Sequence, residues 1–497
     1  MNGKRQFRSL LLHIIARTAT AALGIAVFAL TVALAPSAQA QTPATGVGWT
    51  ETLLYSFCKA GQPNCADGAD PLAVLIFDAA GNLYGTTQGG GAYAAGTVFE
   101  LTPTVGGGWT EQVLHSFGEG TDGANPYAGL IVDAAGNLYG TTQAGGNYTA
   151  YCPENGCGTV FELTPSGGGN WAETVLYSFC SQANCADGMT PQAGLIFDAV
   201  GDLYGTTYQG GTFASHCNSG CGTVFELTPT AGGGWTGAVL YSFGGLPDGS
   251  NPTAGLIFDA AGNLYGTANY GGVVGEGTVF ELTPSGGGNW AETVLYSFCS
   301  QSDCVDGSVP AAGLIFDAAG NLYGTAIGGG NYQGGTAFEL TPTAGGGWTE
   351  EVLHSFGNGT DGFWPHAGLI FDARGNLYGT TRGAFYYECT GINHFPNCGT
   401  VFELTPTAGG NWTETLLHRF NNNGTDGFWP YAGLIFGTTG NLYGTTLSGG
   451  TYGFGTVFEL TPSHPCVFCS HTVSSDEGDV LPAEGRDVLE RGGIEQP

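Results

Sequence analysis

Ala128–Asp133 (AGLIVD), Asn137–Thr142 (NLYGTT), Gly158–Thr164 (GTVFELT) and Trp171–Phe179 (WAETVLYSF) are four short runs rich in Val, Ile, Tyr, Phe and Thr, bounded by Gly, Asp, Asn and Pro. Such composition and punctuation predict β-strands joined by tight turns. The set recurs: Asn-Leu-Tyr-Gly-Thr begins at Asn82, Asn137, Asn263, Asn321, Asn376 and Asn441, and Asp202 opens one further copy. Seven four-strand units, each about 60 residues long, predict an all-β fold, a seven-bladed β-propeller. A stacked solenoid is the alternative, but solenoid repeats run about 20–45 residues and need terminal caps, and none is visible.

The ends of the array favour a closed ring. The last repeat stops at Gly455–Thr461 without its Trp-initiated strand, and a matching strand, Trp49–Phe57, precedes the first repeat. The N-terminal strand (49–57) is therefore expected to complete the last blade, removing the two unpaired edges of an open array. The organisation read from the chain is a signal peptide at 1–40, a short leader at 41–48, the propeller at 49–462 and a polar, disordered tail at 463–497.

The pattern AGLIFDAAGNLYGTT…GG…GTVFELTP…W resembles the GloVer-type tandem repeat of exported bacterial proteins over Trp49 to about Pro462. The Gly-Gly, aromatic strand and Trp layout is also similar, more weakly, to kelch repeats. The resemblance implies a propeller-like fold and export, and no chemistry. Two copies depart from it: Arg382-Gly383-Ala384 stands where others have Gly-Gly, and Gly437 stands where others have Asp.

Among 497 residues there are 90 Gly and 23 Pro, 42% are hydrophobic and only 10% are charged, which allows a core and excludes a helical bundle. Lys4, Arg5, Arg8 and Arg17 lie in the signal peptide, so the rest of the chain carries 6 basic against 41 acidic residues. That balance argues against nucleic acid and anionic membranes as partners. The basic start, the apolar run Ala21–Leu34 and the Ala38-Gln39-Ala40 site read as a cleaved export signal, with an uncleaved anchor and a twin-arginine route as alternatives. No later stretch can span a membrane. The expectation is an exported monomer: extracellular, periplasmic or at the cell surface.

Fourteen cysteines fall into the local pairs Cys58/Cys65, Cys152/Cys157, Cys180/Cys185, Cys217/Cys221, Cys299/Cys304, Cys389/Cys398 and Cys466/Cys469. On an exported chain these are expected to be disulfides; zinc is the competing reading, and the first six pairs lack its regular ligand spacing. Two of the four connections in each repeat keep a constant length, and the other two vary. Alternate connections emerge on one side of a blade, so the variable loops share one face. Every expanded loop there contains a cysteine pair. Variable loops on a rigid scaffold are where binding resides.

Repeated acids (the Glu of Phe-Glu-Leu, the Asp of Asp-Gly and the Asp ending the inner strand) are read as structural turn formers and strand residues, not as catalytic groups. The repeated Glu needs a hydrogen-bond donor, water or a cation, so calcium is kept as the one cofactor to consider, and no catalytic residue or metal ligand is assigned. Aromatics that break the repeat form the candidate ligand-binding set: Phe363, Trp364, Phe385, Tyr386, Tyr387, His394, Phe428 and Trp429. Their chemistry suits a sugar ring or an apolar partner, an extracellular glycan or surface protein. The function expected is a binding module, with carbohydrate as the candidate ligand. The alternatives are a polysaccharide hydrolase or lyase on the same scaffold, and a structural surface protein.

Overall fold

The computed structural model describes residues 48–147, 151–152, 156–212, 217, 219–383 and 398–463. The signal peptide, the tail and the candidate residues Phe385, Tyr386, Tyr387 and His394 lie outside that range. So do Cys389 and both members of the expected disulfide between Cys466 and Cys469.

Seven four-stranded antiparallel sheets follow one another along the chain. In blade 1 they are Ile76–Phe77, Leu83–Thr87, Thr97–Pro103 and Trp109–Ser116, from the channel outward. Blade 7 is made from both ends. Its Ile435–Phe436, Leu442–Thr446 and Thr456–Pro462 are completed by Trp49–Ser56, with Trp49 opposite Pro462 and Ser56 opposite Thr456. The all-β propeller and its N-terminal closure are both as the repeats predict.

The inner strand is shorter than the six-residue run suggests, with only two residues on the ladder, such as Ile131–Val132 in blade 2. The reason is a competing partner. The carbonyl of Ala128, just before that ladder, accepts a hydrogen bond from the Thr86 hydroxyl of blade 1. The same Thr-to-Ala contact recurs at all seven seams at 2.9–3.3 Å, ending with Thr445 of blade 7 on Ala73 of blade 1.

Aromatic packing runs around the same circle. The Phe that ends each outer strand meets the Phe of Phe-Glu-Leu in the following blade with centroids 4.9–5.1 Å apart, edge to face at six seams and tilted for Phe356 on Phe402. Phe57, Phe117, Phe179, Phe243, Phe298 and Phe356 are fully buried there. A bulge in every outer strand, Leu114 in blade 1, adds one residue and turns the strand end toward that seam. Backbones also close in. Gly96 has φ +101°, and a Cβ on it would lie 2.5 Å from Pro126 of blade 2, while Gly455 stands in the same relation to Pro71. Only glycine fits that approach.

Phe57 connects chain ends through packing rather than sequence, so Phe57→Ala should destabilise the fold by about 3–5 kcal/mol, the usual loss for a buried Phe. Phe243→Ala at an interior seam should lose as much in chemical denaturation. A mild Phe57 effect would show that the closing seam is not equivalent to the others.

Candidate functional site

Both variable connections lie on one face, because they pair with each other in every blade. The Asp-Gly loop bonds the loop after Asn-Leu-Tyr-Gly-Thr, as between Ala69 and Gly89, Gly123 and Gly145, Met189 and Gln209, and Gly427 and Gly449. In blade 6 the Gly383 N–H donates to the Phe363 carbonyl at 2.9 Å. The disulfides Cys58–Cys65, Cys152–Cys157, Cys180–Cys185, Cys217–Cys221 and Cys299–Cys304 are formed, and Cys398 is disulfide-bonded too. The expected bond from Cys466 to Cys469 is not among them, because Cys466 and Cys469 fall outside the described residues, as does Cys389, the expected partner of Cys398.

On this face the central channel opens as a cavity of about 610 Å³. Its floor repeats, built from the Ala-Gly-Leu of the inner segments, with Val74 in the place of the Gly in blade 1. Its mouth does not. The residue between the Pro and the Ala-Gly is Leu72, Tyr127, Gln192, Thr253, Ala311, His366 and Tyr431 in turn, and Tyr208, Asn269 and Ile327 join them from the loops after the second strand. His366 stacks on Tyr431 at 4.3 Å, and Tyr127 meets Tyr431 edge-on at 6.1 Å. The Arg382 guanidinium lies 5.1 Å from the Tyr431 ring centre and 5.9 Å from that of Trp429. Burial, and secondarily the Arg382 charge, lowers the His366 pKa to about 3, so this imidazole stays neutral. Burial lowers the Arg382 pKa to about 10, which leaves it cationic.

Of the residues expected from sequence, Trp429 belongs to this cluster and Phe428 packs on it at 5.0 Å. Phe363 and Trp364 sit on the same face of blade 6. Neither Trp is an exposed platform, contrary to the picture of free aromatic surfaces. Both are half-buried, Trp429 beneath Arg382 and Trp364 held by its N–H on the Gly334 carbonyl at 2.7 Å. Both have φ +59°, at a position where blades 2 and 4 use Asn125 and Asn251. Left-handed backbone suits Asn and is unfavourable for Trp. The sequence reading missed Tyr127, His366 and Tyr431. The signal was there: within Pro-x-Ala-Gly, x changes from blade to blade while the Pro and Ala stay fixed and the Gly gives way once, to Val74 in blade 1.

The repeated acids are structural, as expected. Asp78 accepts the N–H groups of Ala80 and Asn82 and the Asn82 side chain. Asp67 accepts the N–H groups of Lys59 and Ala60. The Glu of Phe-Glu-Leu finds its donor in the tyrosine opposite: Tyr84 Oη lies 2.9 Å from Glu100 Oε1. In blade 7, where Gly437 replaces the Asp, Asn441 turns instead to Glu459 at 2.6 Å.

A fourth acid, in the outer strand, was not singled out from the sequence. Glu51, Glu111, Glu173, Glu292, Glu350 and Glu414 each press one unpartnered, buried Oε1 into a seam beside the Asp-Gly aspartate of that seam. Desolvation first, and for most of them that neighbouring carboxylate second, raises their pKa values: to about 7 for Glu111, Glu173 and Glu414, and to about 8 for Glu292 and Glu350. For Glu292 burial acts first, and the neighbouring Asp248 carboxylate second. Blade 3 has Gly237 at this position.

A closed seven-bladed propeller with a non-repeating channel mouth defines the class. The chain belongs to the Gloeobacter/Verrucomicrobia repeat family, which matches residues 42–217, 148–393 and 261–487. No curated protein matches it. Two of the solved structures that align with it illustrate the likeness. One is a Thermus thermophilus protein named as an oxidoreductase (glucose dehydrogenase), 16% identical over 67% of this chain and 94% of that one, TM-score 0.38. The other is a protein of unknown function from Dyadobacter fermentans, 13% identical over 84% of this chain and 99% of that one, TM-score 0.38.

The seam glutamates set a pH dependence. Their folded pKa values exceed the ordinary 4.5, so their stabilising contribution is complete below that value and is lost as pH rises through about 7–8. Glu111 faces Asp67, Tyr55 and Lys59. The melting temperature should therefore fall between about pH 5 and pH 8.5. Combined Glu173→Gln, Glu292→Gln and Glu350→Gln should flatten that fall; an unchanged slope would remove these groups as its cause.

Proposed function

We propose that the protein is an exported saccharide-binding module whose site is the channel mouth on the disulfide-braced face. The carrying observation is the convergence of side chains that differ blade by blade, Tyr127, Gln192, Thr253, His366 and Tyr431, around one cavity in an otherwise sevenfold scaffold. Aromatic faces beside neutral donors and acceptors suit sugar rings and hydroxyls. The acidic surface disfavours polyanionic glycans, so the ligand is a neutral saccharide. The cavity lining contains no Asp or Glu among the described residues, which favours binding over carboxylate-driven hydrolysis or elimination. The disulfides suit an oxidising compartment, and no helix among the described residues is long and apolar enough to cross a membrane.

A binding screen with neutral oligosaccharides and uronate polymers, using the oxidised protein, tests this reading. Tyr431→Ala should weaken binding about tenfold to a hundredfold, as loss of a central aromatic anchor does. Trp429→Asn should also weaken binding while leaving the melting temperature equal or higher, because Asn accepts the left-handed backbone. Binding indifferent to both changes would move the ligand elsewhere, and no binding to any glycan would overturn the proposal.

A further inference from the structure

The loop after the second strand of blade 2 and the closing loop that leads from blade 2 into blade 3 both carry a cysteine pair. The structure brings the two pairs together. The Sγ atoms of Cys157, Cys180 and Cys185 lie within 4.8 Å of one another, the one such gathering among the described residues. All three are buried, at 0%, 5% and 2% exposure. Cys152 is half-buried and rests 3.9 Å from the Met189 thioether. The Thr190 N–H donates to the Cys157 carbonyl at 2.8 Å and ties the two loops together, while the Cys180 N–H on the Gly188 carbonyl at 3.1 Å closes the second loop on itself.

We propose that these two disulfides form a thiol–disulfide exchange relay, opened by a low-molecular-weight thiol, that converts two loop-internal bonds into one cross-link between loops. Cys152 is the sulfur of its bond nearer solvent. A thiolate RS⁻ attacks its Sγ, forming R–S–S–Cys152 as the Cys152–Cys157 bond breaks and Cys157 leaves as a thiolate. Cys157 Sγ then attacks the adjacent Cys180–Cys185 bond. A disulfide from Cys157 to one of that pair forms, and the other sulfur leaves and takes up a proton. One thiol is consumed and one appears, so no net oxidant or reductant is required. Proximity makes the second step intramolecular, and a bond joining the two loops closes a longer stretch of chain than either original bond, restraining the unfolded state more. All four sulfurs are held in disulfides, so no thiolate is present to attack until the external thiol opens the first bond, and the exchange does not run spontaneously. The relay stands independently of any ligand at the channel mouth.

Cys152→Ser, purified under oxidising conditions, presents Cys157 without its partner and needs no added thiol. Acid quenching, alkylation and non-reducing peptide mapping should find Cys157 linked to Cys180 or Cys185 as the major species, with the other thiol alkylated only after unfolding. The conversion should run faster at about pH 8.5 than at about pH 5, because the thiolate is the nucleophile. Recovery of Cys157 as the free thiol with Cys180–Cys185 intact would overturn the relay. The wild-type protein treated with glutathione supplies a second reading that does not depend on the variant folding. The Cys152–glutathione adduct should appear together with the Cys157 cross-link. The same adduct alongside an intact Cys180–Cys185 bond would overturn it equally.

Discussion

No blade of this molecule finishes its own core. The Phe at the end of each outer strand packs into the next blade, one Thr hydroxyl of each second strand donates to the next Ala carbonyl, and the Gly opening each third strand packs against the next Pro. Each seam thus shares the same set of groups, and a ring missing one seam would expose a full set of them. Closure follows from this dependence. It also explains why the repeat varies so little along the chain: a change in one blade alters an interface with two.

Function can be written only where that constraint is absent. The seams occupy the body of each blade, and the fixed turns hold one face. What remains is the other face, where loops lengthen and gain disulfides, and the channel mouth, lined by one position of every blade and a second in three of them. Tyr127, His366 and Tyr431 are free to differ because the Ala-Gly beside them already carries the inter-blade contact. Arg382 takes its place among them in the blade where the Gly-Gly pattern breaks. The left-handed Trp364 and Trp429 mark the same region, since strain of this kind persists where the surroundings fix it.

The strands, the blade count and the closing strand were legible because seven copies make a weak local signal unmistakable, and because a strand missing from one end appeared at the other. The shared face of the variable loops followed from counting their lengths. Contacts made between blades were not legible. Nothing local to Glu292 indicates that Asp248, from the preceding closing loop, will lie beside it and help raise its pKa, and nothing in Ala128 says that its carbonyl is claimed by Thr86. The channel mouth was hidden for a different reason: its residues sit inside a motif that otherwise reads as repeat, and hydrophobic periodicity has no term for one odd letter. Trp429 was found because it is large and unusual; the Arg382 guanidinium above it could be placed only by the fold.

Closure by Trp49–Ser56 has a consequence for the order of events in folding. The strand that completes the last blade is the first of the array to be synthesised, and its partner, Thr456–Pro462, is the last. Until the final repeat exists, an eight-residue strand rich in β-formers must wait without its ladder, and the first blade must wait without Phe57. The ring therefore ends its folding with its longest-range contact, the slow kind in which loop closure precedes any reward. During that interval the molecule presents two complementary edges, and the nearest equivalent partner for either is a second copy of the same chain. Low concentration and prompt completion are built into the demands of this topology.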